Sequence, residues 1–196
     1  MVQQSDRMLK LVDDLLMLSR LEGGDNPSRE DWVDIEALVL ALGDDARALS
    51  DGRHQIETQV AEKAGITGAA DELRSAFGNL VSNAVRYTPQ GGRITLAWRS
   101  DELGRGIFNV TDTGIGIAAE HIPRLTERFY RVDRGRSRET GGTGLGLAIV
   151  KHVLLRHQAT LEIRSEPGVG SEFQIIFPAW RSVTAAASAR VEANAA

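Results

Sequence analysis

The chain contains no cysteine among its 196 residues. Disulfide bridges, cysteine-ligated zinc and thiol catalysis are therefore excluded. Four histidines are present, His54, His121, His152 and His157, but none of them forms an H-E-x-x-H pattern typical of zinc proteases. No apolar run approaches the roughly 18–20 residues that span a bilayer, and no signal peptide is visible. We therefore expect a cytoplasmic chain without membrane contact, although a membrane segment could precede Met1 in a longer, inner-membrane parent protein.

The sequence also lacks an excess of positive charge. Its formal net charge is −4 and its isoelectric point is near 5.6, which argues against non-specific binding to nucleic acid. Hydrophobic residues make up 42% and charged residues 26%, which is ordinary for a globular protein. The length suffices for one good core and an accessory element.

What the sequence does contain is a strongly patterned segment at residues 71–88. Its apolar residues recur at spacings of three and four, which predicts a helix with one buried face. That face comprises Leu73, Ala76, Phe77, Leu80, Ala84 and Val85. Asp71 or a neighbour can cap the helix, and Pro89 ends it.

Asn79 and Asn83 lie one turn apart on a second face of this predicted helix, close to Ser75, Ser82 and Arg86. Asparagine is a mediocre helix former, so two on one face call for a reason. Their amide oxygens can serve as ligands for Mg²⁺, which prefers oxygen donors and keeps several waters. Alternatively, both are polar side chains with local hydrogen bonds at the edge of the helix.

Residues 5–22 predict an amphipathic helix, with Met8, Leu11, Leu15 and Leu18 at heptad spacing. This helix can pack on the main domain or pair with another helix in a bundle. Glycine, aspartate, asparagine and proline at residues 23–27 predict a flexible joint, which is the best candidate domain boundary.

The rest of the chain predicts helices interleaved with antiparallel hairpins. This order indicates a mixed sheet with helices on one face, an α+β sandwich. Strands are expected at residues 32–35, 54–60, 66–67, 93–99, 106–112, 160–164 and 171–177, and helices at residues 36–49, 118–125 and from the glycine-rich segment to about residue 157. Leu49 and Leu155 are expected in the buried faces of their helices. Pro178 is expected to end the fold, and residues 183–196 predict a frayed tail.

The segment at residues 141–147, G-G-T-G-L-G-L, precedes a predicted helix. Bare backbone N–H groups and the helix dipole favour an anion there, and phosphate is the obvious candidate. The G-x-x-x-x-G-K-[ST] loop is absent, and no apolar strand precedes the segment as a dinucleotide fingerprint requires. Tight packing is the alternative explanation of these glycines.

Asp112 begins a second glycine-rich segment, D-T-G-I-G. A carboxylate at a strand end can accept hydrogen bonds from an amino group, while the glycines let a ligand approach the backbone. A plain turn initiated by aspartate is the alternative. Together, the three segments suggest a nucleotide site, with Asn79 and Asn83 at a metal, Asp112 at the base and the residue 141–147 loop at the phosphates. The polar segment at residues 132–140 would then be a lid.

Four motifs in this sequence resemble those of the catalytic, ATP-binding domain of bacterial sensor histidine kinases, most closely the phosphate-regulon sensors. They are N-L-V-S-N-A-V-R-Y-T at residues 79–88, D-T-G-I-G-I at 112–117, E-R-F-Y-R-V-D at 127–133 and G-T-G-L-G-L-A at 142–148. The resemblance implies a two-layer sandwich of the type shared by histidine kinases, gyrase and chaperone ATPases. It covers about residues 5–177.

The resemblance also implies roles for single residues. Asn83 would ligate Mg²⁺ with Asn79 beside it, Asp112 would accept the adenine amino group, and Tyr87 would stack on adenine. Phe129 would anchor the lid, and Arg131 would act near the transferring phosphate. The remaining expected ATP-binding residues are Arg86, Gly114, Gly116, Ile117, Gly142, Thr143, Gly144, Leu145 and Gly146.

One residue bears on the reaction type. Related ATPases usually carry a glutamate where this chain has Asn79, and hydrolysis needs a general base that an amide cannot supply. Neutral imidazole needs no strong base, so Asn79 favours transfer to histidine over hydrolysis. A hydrolysing ATPase and a module that has lost nucleotide binding are the competing interpretations.

The motif that surrounds the family's acceptor histidine is absent. The resemblance therefore implies that residues 1–24 are the second helix of a dimerisation domain, residues 25–180 the catalytic domain and residues 181–196 a tail. The expected partners are a response regulator and the acceptor helix of the full-length kinase, a homodimer. The chain is expected to bind Mg·ATP without phosphorylating itself.

Overall fold

The computed structural model describes residues 2–23, 30–61, 64–132 and 142–184. Four helices are present in these ranges: α1 (Val2–Glu22), α2 (Ile35–Ser50), α3 (Ala70–Tyr87) and α4 (Gly146–Arg156). The strands are β1 (Asp31–Asp34), β2 (Gln55–Val60), β3 (Ala64–Gly68), β4 (Arg93–Ser100), β5 (Gly106–Asp112), β6 (Thr160–Glu166), β7 (Gly170–Phe177) and β8 (Ser182–Thr184). The predicted tail from residue 185 onward lies outside the described residues, as does all but Val132 of the predicted lid.

The main sheet has five strands in the order β2-β4-β5-β7-β6. Only β2 and β4 run parallel, and the other neighbours are antiparallel. A smaller antiparallel sheet has the order β1-β3-β8. The predicted α+β sandwich with a mixed, mostly antiparallel sheet is thus confirmed, whereas the separate small sheet was not foreseen.

The core lies between the helices and one face of the main sheet. Alternation along β4 buries Ile94, Leu96 and Trp98, as predicted from its period of two. From α3, Phe77 stacks on Phe108 of β5 with ring centroids 4.0 Å apart. This packing fixes the rotation of α3 about its axis, and so decides which of its side chains face away from the sheet.

Several local predictions were wrong. The N-cap of α3 is Ala69 rather than Asp71, and the backbone N–H of Ala69 donates to Nε2 of His157. Leu49 and Leu155 are exposed, because the buried stripes of their helices continue through Ser50 and Leu154 instead.

The helix predicted at residues 118–125 is only a 3-10 turn at Ile122–Arg124. Pro123 explains the difference, because it lacks the N–H that a continuing helix would need.

Pro178 does not end the fold. A 3-10 turn at Ala179–Arg181 and strand β8 follow it, and β8 pairs with β3. The buried guanidinium of Arg181 donates to the carbonyl oxygen of Thr67 (2.8 Å) and to the Glu30 carboxylate (2.9 Å). Residues 181–184, which were predicted to belong to the tail, are therefore part of the fold, while the proposed domain boundaries stay a prediction.

Helix α1 packs against α4 and buries Leu18 and Leu21 in the core. The opposite face remains exposed, so only part of its apolar surface is covered by the domain. The exposed side chains are Met8, Leu9, Val12, Leu15 and Leu16. The first of the two alternatives for this helix, packing on the main domain, thus holds for its C-terminal part.

Candidate nucleotide-binding site

A cavity of about 490 Å³ opens between α3, the start of α4 and the turn after β5. The three segments singled out from the sequence all border it. The predicted site residues on its wall are Asn79, Asn83, Arg86, Tyr87, Asp112, Gly116, Ile117, Arg131, Gly142, Thr143, Gly144 and Gly146. Gly114, Phe129 and Leu145 do not line the cavity but lie behind its wall.

Helix α3 provides the asparagine wall. The Nδ2 group of Asn79 donates to the carbonyl oxygen of Ser75 (2.9 Å), which leaves Oδ1 as the free end of the amide. A Cβ atom at Gly146 would come within 2.5 Å of this Oδ1, so the amide oxygen lies directly against the glycine-rich loop. Asn83 lies one turn further along the same side of α3.

We call the part of the cavity that is lined by Asp112, Gly116 and Tyr87, with Gly114 behind them, the Asp112 end. Asp112 is the last residue of β5 and is only 6% exposed. Its Oδ1 accepts a hydrogen bond from the N–H of Gly114 (2.8 Å). Burial raises the pKa of the Asp112 carboxyl, while hydrogen bonds from the backbone N–H groups of Gly114 and Ser171 act in the opposite direction.

The glycines of the Asp112 end are required by close backbone packing. A Cβ at Gly114 would lie 2.5 Å from Oδ1 of Asp112 and 2.7 Å from the carbonyl oxygen of Tyr87. Gly116 has φ +67°, and a Cβ there would overlap the carbonyl oxygen of Glu166. The N–H of Ile115 donates to the Tyr87 carbonyl (3.1 Å) and so joins this turn to the end of α3.

We call the other part of the cavity, lined by Gly142, Thr143, Gly144 and Gly146 together with Arg86 and Arg131, the glycine-loop end. The Arg131 guanidinium donates to the carbonyl oxygen of Gly142 (2.7 Å). Arg86 lies against the same glycine, because a Cβ there would be 3.0 Å from its Nη1. Two guanidinium groups therefore flank the loop that precedes the N-terminus of α4.

Phe129 supports the glycine loop from outside the cavity. Its N–H donates to the carbonyl oxygen of Gly144 (2.9 Å), and Gly144 has φ +76°. Its side chain is exposed and its own φ is +59°, an unusual value for a residue with a side chain. Leu145, the N-cap of α4, is fully buried and anchors the loop in the core.

The two ends of the cavity differ in charge. A buried carboxylate lies at one end, whereas guanidinium groups and a helix N-terminus lie at the other. An amino group can be bound at the first and a polyphosphate at the second. This arrangement suits a nucleotide that carries an exocyclic amine.

The donor set also fits a hard cation that is shared with a ligand. Among the described residues no cluster of three or more His, Cys, Asp or Glu side chains could hold a metal by itself. The amide oxygens of Asn79 and Asn83 would supply only part of a coordination shell, as expected for Mg²⁺ that also binds phosphate oxygens and water.

Sequence reasoning missed some residues of the cavity wall. Tyr130 lies there, with its hydroxyl 2.7 Å from Nδ1 of His121 and its ring under the Arg124 guanidinium (4.4 Å). Its place beside Phe129 in the third motif could have indicated this. Lys10 of α1 also lines the cavity, and no local motif surrounds it.

Comparison with known proteins assigns the fold. Residues 68–181 match the family described as histidine kinase-, DNA gyrase B-, and HSP90-like ATPase. The chain is 54% identical over 178 residues to the phosphate regulon sensor protein PhoR of Pseudomonas aeruginosa, a match that covers 90% of this chain and 40% of that protein. It is 42% identical over 180 residues to PhoR of Haemophilus influenzae, covering 91% and 41% of the two chains.

A solved structure of full-length ShkA in complex with AMPPNP superimposes with a TM-score of 0.79 at 29% identity, covering 93% of this chain and 37% of that one. The mycobacterial sensor histidine kinase MprB superimposes with a TM-score of 0.66 at 27% identity, covering 76% and 97%.

The chain belongs to the histidine kinase-, DNA gyrase B-, and HSP90-like ATPase family. Within that family it is the catalytic, ATP-binding domain of a two-component sensor histidine kinase, similar to the phosphate regulon sensors. It spans about 40% of the length of these two curated relatives. None of the helices in the described ranges combines the length and apolar character needed to cross a membrane.

Proposed function

We propose that the chain binds Mg·ATP in this cavity and transfers the γ-phosphate to a histidine that lies outside it. The observation that carries the proposal is the convergence of the asparagine face of α3, Asp112 and the glycine loop on one cavity. The adenine amino group would donate to the Asp112 carboxylate, and the phosphates would lie at the glycine-loop end. Tyr87 would stack on the base.

The residues at the glycine-loop end fit phosphoryl transfer. An imidazole nitrogen of the acceptor attacks the γ-phosphorus, the bond to the bridging oxygen breaks, and ADP leaves. Arg131 would neutralise charge on the transferring group, and Arg86 would hold the phosphates. Mg²⁺ bound by Asn83 and Asn79 would supply further charge neutralisation.

Asn79 supports transfer rather than hydrolysis. A water nucleophile needs a base to remove its proton, and an amide is not a base. A neutral imidazole already carries a lone pair, so positioning and charge neutralisation are sufficient. The amide orientation, with Nδ2 held by Ser75, leaves only an acceptor oxygen near the loop.

A partner must provide the acceptor, because none of His54, His121, His152 and His157 lies in an acceptor motif. The proposed partners are the acceptor helix of the full-length homodimeric kinase and a response regulator. The acceptor helix, the response regulator and ATP are all cytoplasmic. We therefore also propose that this chain is located in the cytoplasm. When the isolated chain is incubated with labelled ATP, we expect no acid-labile band on a denaturing gel. A stable band on this chain would contradict the proposal.

Nucleotide titration tests the site directly. Asp112→Asn should weaken binding of both adenosine and Mg·ATP by about tenfold or more, because a charged acceptor is lost. Asn83→Ala should weaken the binding of Mg·ATP by about tenfold and leave the affinity for adenosine unchanged. Asp44→Asn, at an exposed position on α2 away from the cavity, is the control. Equal affinities in wild type and Asp112→Asn would overturn the assignment of the base.

A further inference from the structure

Helix α1 contributes to the wall of the cavity although the motifs of the nucleotide site all lie in other segments. Lys10, an exposed residue of this helix, lines the same cavity as Arg131, Gly142 and Thr143. Because Asp14, one turn after Lys10 in α1, contacts Thr143, Lys10 borders the glycine-loop end, where the phosphates would lie.

The contact that holds this part of α1 in place is a hydrogen bond between two buried or half-buried side chains. The hydroxyl of Thr143 donates to Oδ2 of Asp14 (2.7 Å), and Asp14 is only 9% exposed. The same hydroxyl accepts from the N–H of Leu145 (3.3 Å). Asp14 lies one helical turn after Lys10, so this bond sets the position of Lys10 over the loop.

The C-terminal end of α1 is fixed separately. Glu22 pairs with Arg128 and lies 3.3 Å from Nε2 of His152, while Leu18 and Leu21 are buried. Because α1 is attached at Asp14 and again at its last turns, it is held along α4 rather than at one point. Lys10 thus has a defined place on the cavity wall.

We propose that Lys10 is a further binding residue for the polyphosphate of the nucleotide, and that the Asp14–Thr143 hydrogen bond positions it. This inference rests on the proposed function of the cavity. Mg²⁺ cancels only part of the triphosphate's negative charge, and Arg86 and Arg131 flank the loop. The buried carboxylate of Asp14, bonded to Thr143, adds negative charge there, so the two guanidinium groups do not balance the whole site. A lysine ammonium adds a third positive charge and can approach any phosphate oxygen, since its donors rotate freely.

The test compares Lys10→Gln with wild type. Each protein is titrated with Mg·ATP and, separately, with adenosine, and binding is monitored by NMR. We expect the Kd for Mg·ATP to rise about three- to tenfold, while the Kd for adenosine stays within about twofold. Lys151→Gln, at an exposed position on α4 away from the cavity, is the matched control and should change neither value. Lys10→Arg should keep the affinity for Mg·ATP.

Each outcome is decisive. An unchanged Kd for Mg·ATP in Lys10→Gln would overturn the inference, and so would an equal loss for adenosine, which would indicate a change in the fold. If wild type bound neither ligand, the proposed function itself would fail.

The role of Asp14 is tested by a double-mutant cycle. In the Asp14→Ala background, Lys10→Gln should change the Kd for Mg·ATP by less than about twofold, because Lys10 is no longer held over the loop. An undiminished effect of Lys10→Gln in that background would contradict a positioning role for Asp14.

Discussion

The Asp112 end and the glycine-loop end of the cavity are both rich in glycine, but they are held together by different kinds of contact. At the Asp112 end, the backbone of residues 112–117 contacts the backbone of Tyr87 and Glu166 and the hydroxyl of Ser165. At the glycine-loop end, the Phe129 backbone contacts Gly144, but Gly142 and Thr143 are contacted by the side chains of Arg131, Arg86 and Asp14. The first end is therefore part of the scaffold, whereas the start of the glycine loop is held by side chains that can change rotamer.

The largest effect that this comparison predicts is on folding. Gly116→Ala should lower the free energy of unfolding by more than about 3 kcal/mol, as measured by urea denaturation. A left-handed residue costs about 1–2 kcal/mol, and the added methyl group would also overlap a main-chain oxygen that cannot rotate away.

Gly168→Ala is the matched control for that substitution. Gly168 has φ +80°, but nothing lies within 4 Å of an added Cβ. It should cost only about 1 kcal/mol. Similar losses for the two variants would mean that the backbone around Gly116 can move, and that the Asp112 end is not rigid.

The next effect concerns pH. Because burial raises the pKa of Asp112, the native state binds this proton more tightly than the unfolded state. The contribution of the Asp112 carboxyl to the free energy of unfolding is therefore most favourable at low pH. It is lost as the pH rises through the pKa that this carboxyl has in the native state. Adenosine needs the ionised carboxylate as acceptor, so its affinity should rise over the same interval.

We expect adenosine to bind about fivefold more weakly at a pH low enough to protonate Asp112 than at pH 7, since a neutral acceptor forms the weaker hydrogen bond. Adenosine is the appropriate ligand because it has no phosphate that titrates in this range. Asp112→Asn should bind adenosine with a flat pH profile. A pH dependence that persists in this variant would assign the titration to another group.

The sequence was informative where structure is local. The D-T-G-I-G turn, the Asn79–Asn83 spacing and the alternation of β4 depend on near neighbours, so each could be predicted from periodicity and turn chemistry. Residue chemistry alone combined the three segments into a predicted nucleotide site, and the resemblance to a kinase family added adenine and the kinase reaction. The three segments do border one cavity.

The predictions from sequence failed where the local structure depends on contacts with residues far away in the chain. β8 forms because β3 offers a free edge, and Arg181 is buried because Thr67 and Glu30 accept its hydrogen bonds. Likewise, the place of Lys10 depends on the Asp14–Thr143 bond between segments 129 residues apart. No local pattern in α1 distinguishes a residue that faces the cavity from one that faces solvent.

The smallest effect is predicted for Gly142→Ala, and it separates the two ends most directly. The nearest atom to an added Cβ is the guanidinium end of Arg86 at 3.0 Å, which can turn aside. The free energy of unfolding should change by less than about 0.5 kcal/mol. Because Arg86 is displaced, the affinity for Mg·ATP should fall about two- to fivefold, while the affinity for adenosine should stay unchanged. In Gly114→Ala, by contrast, the methyl group meets Asp112 and the Tyr87 backbone, so folding and adenosine binding should both suffer. If Gly142→Ala proved as destabilising as Gly114→Ala, the glycine-loop end would be as rigid as the Asp112 end.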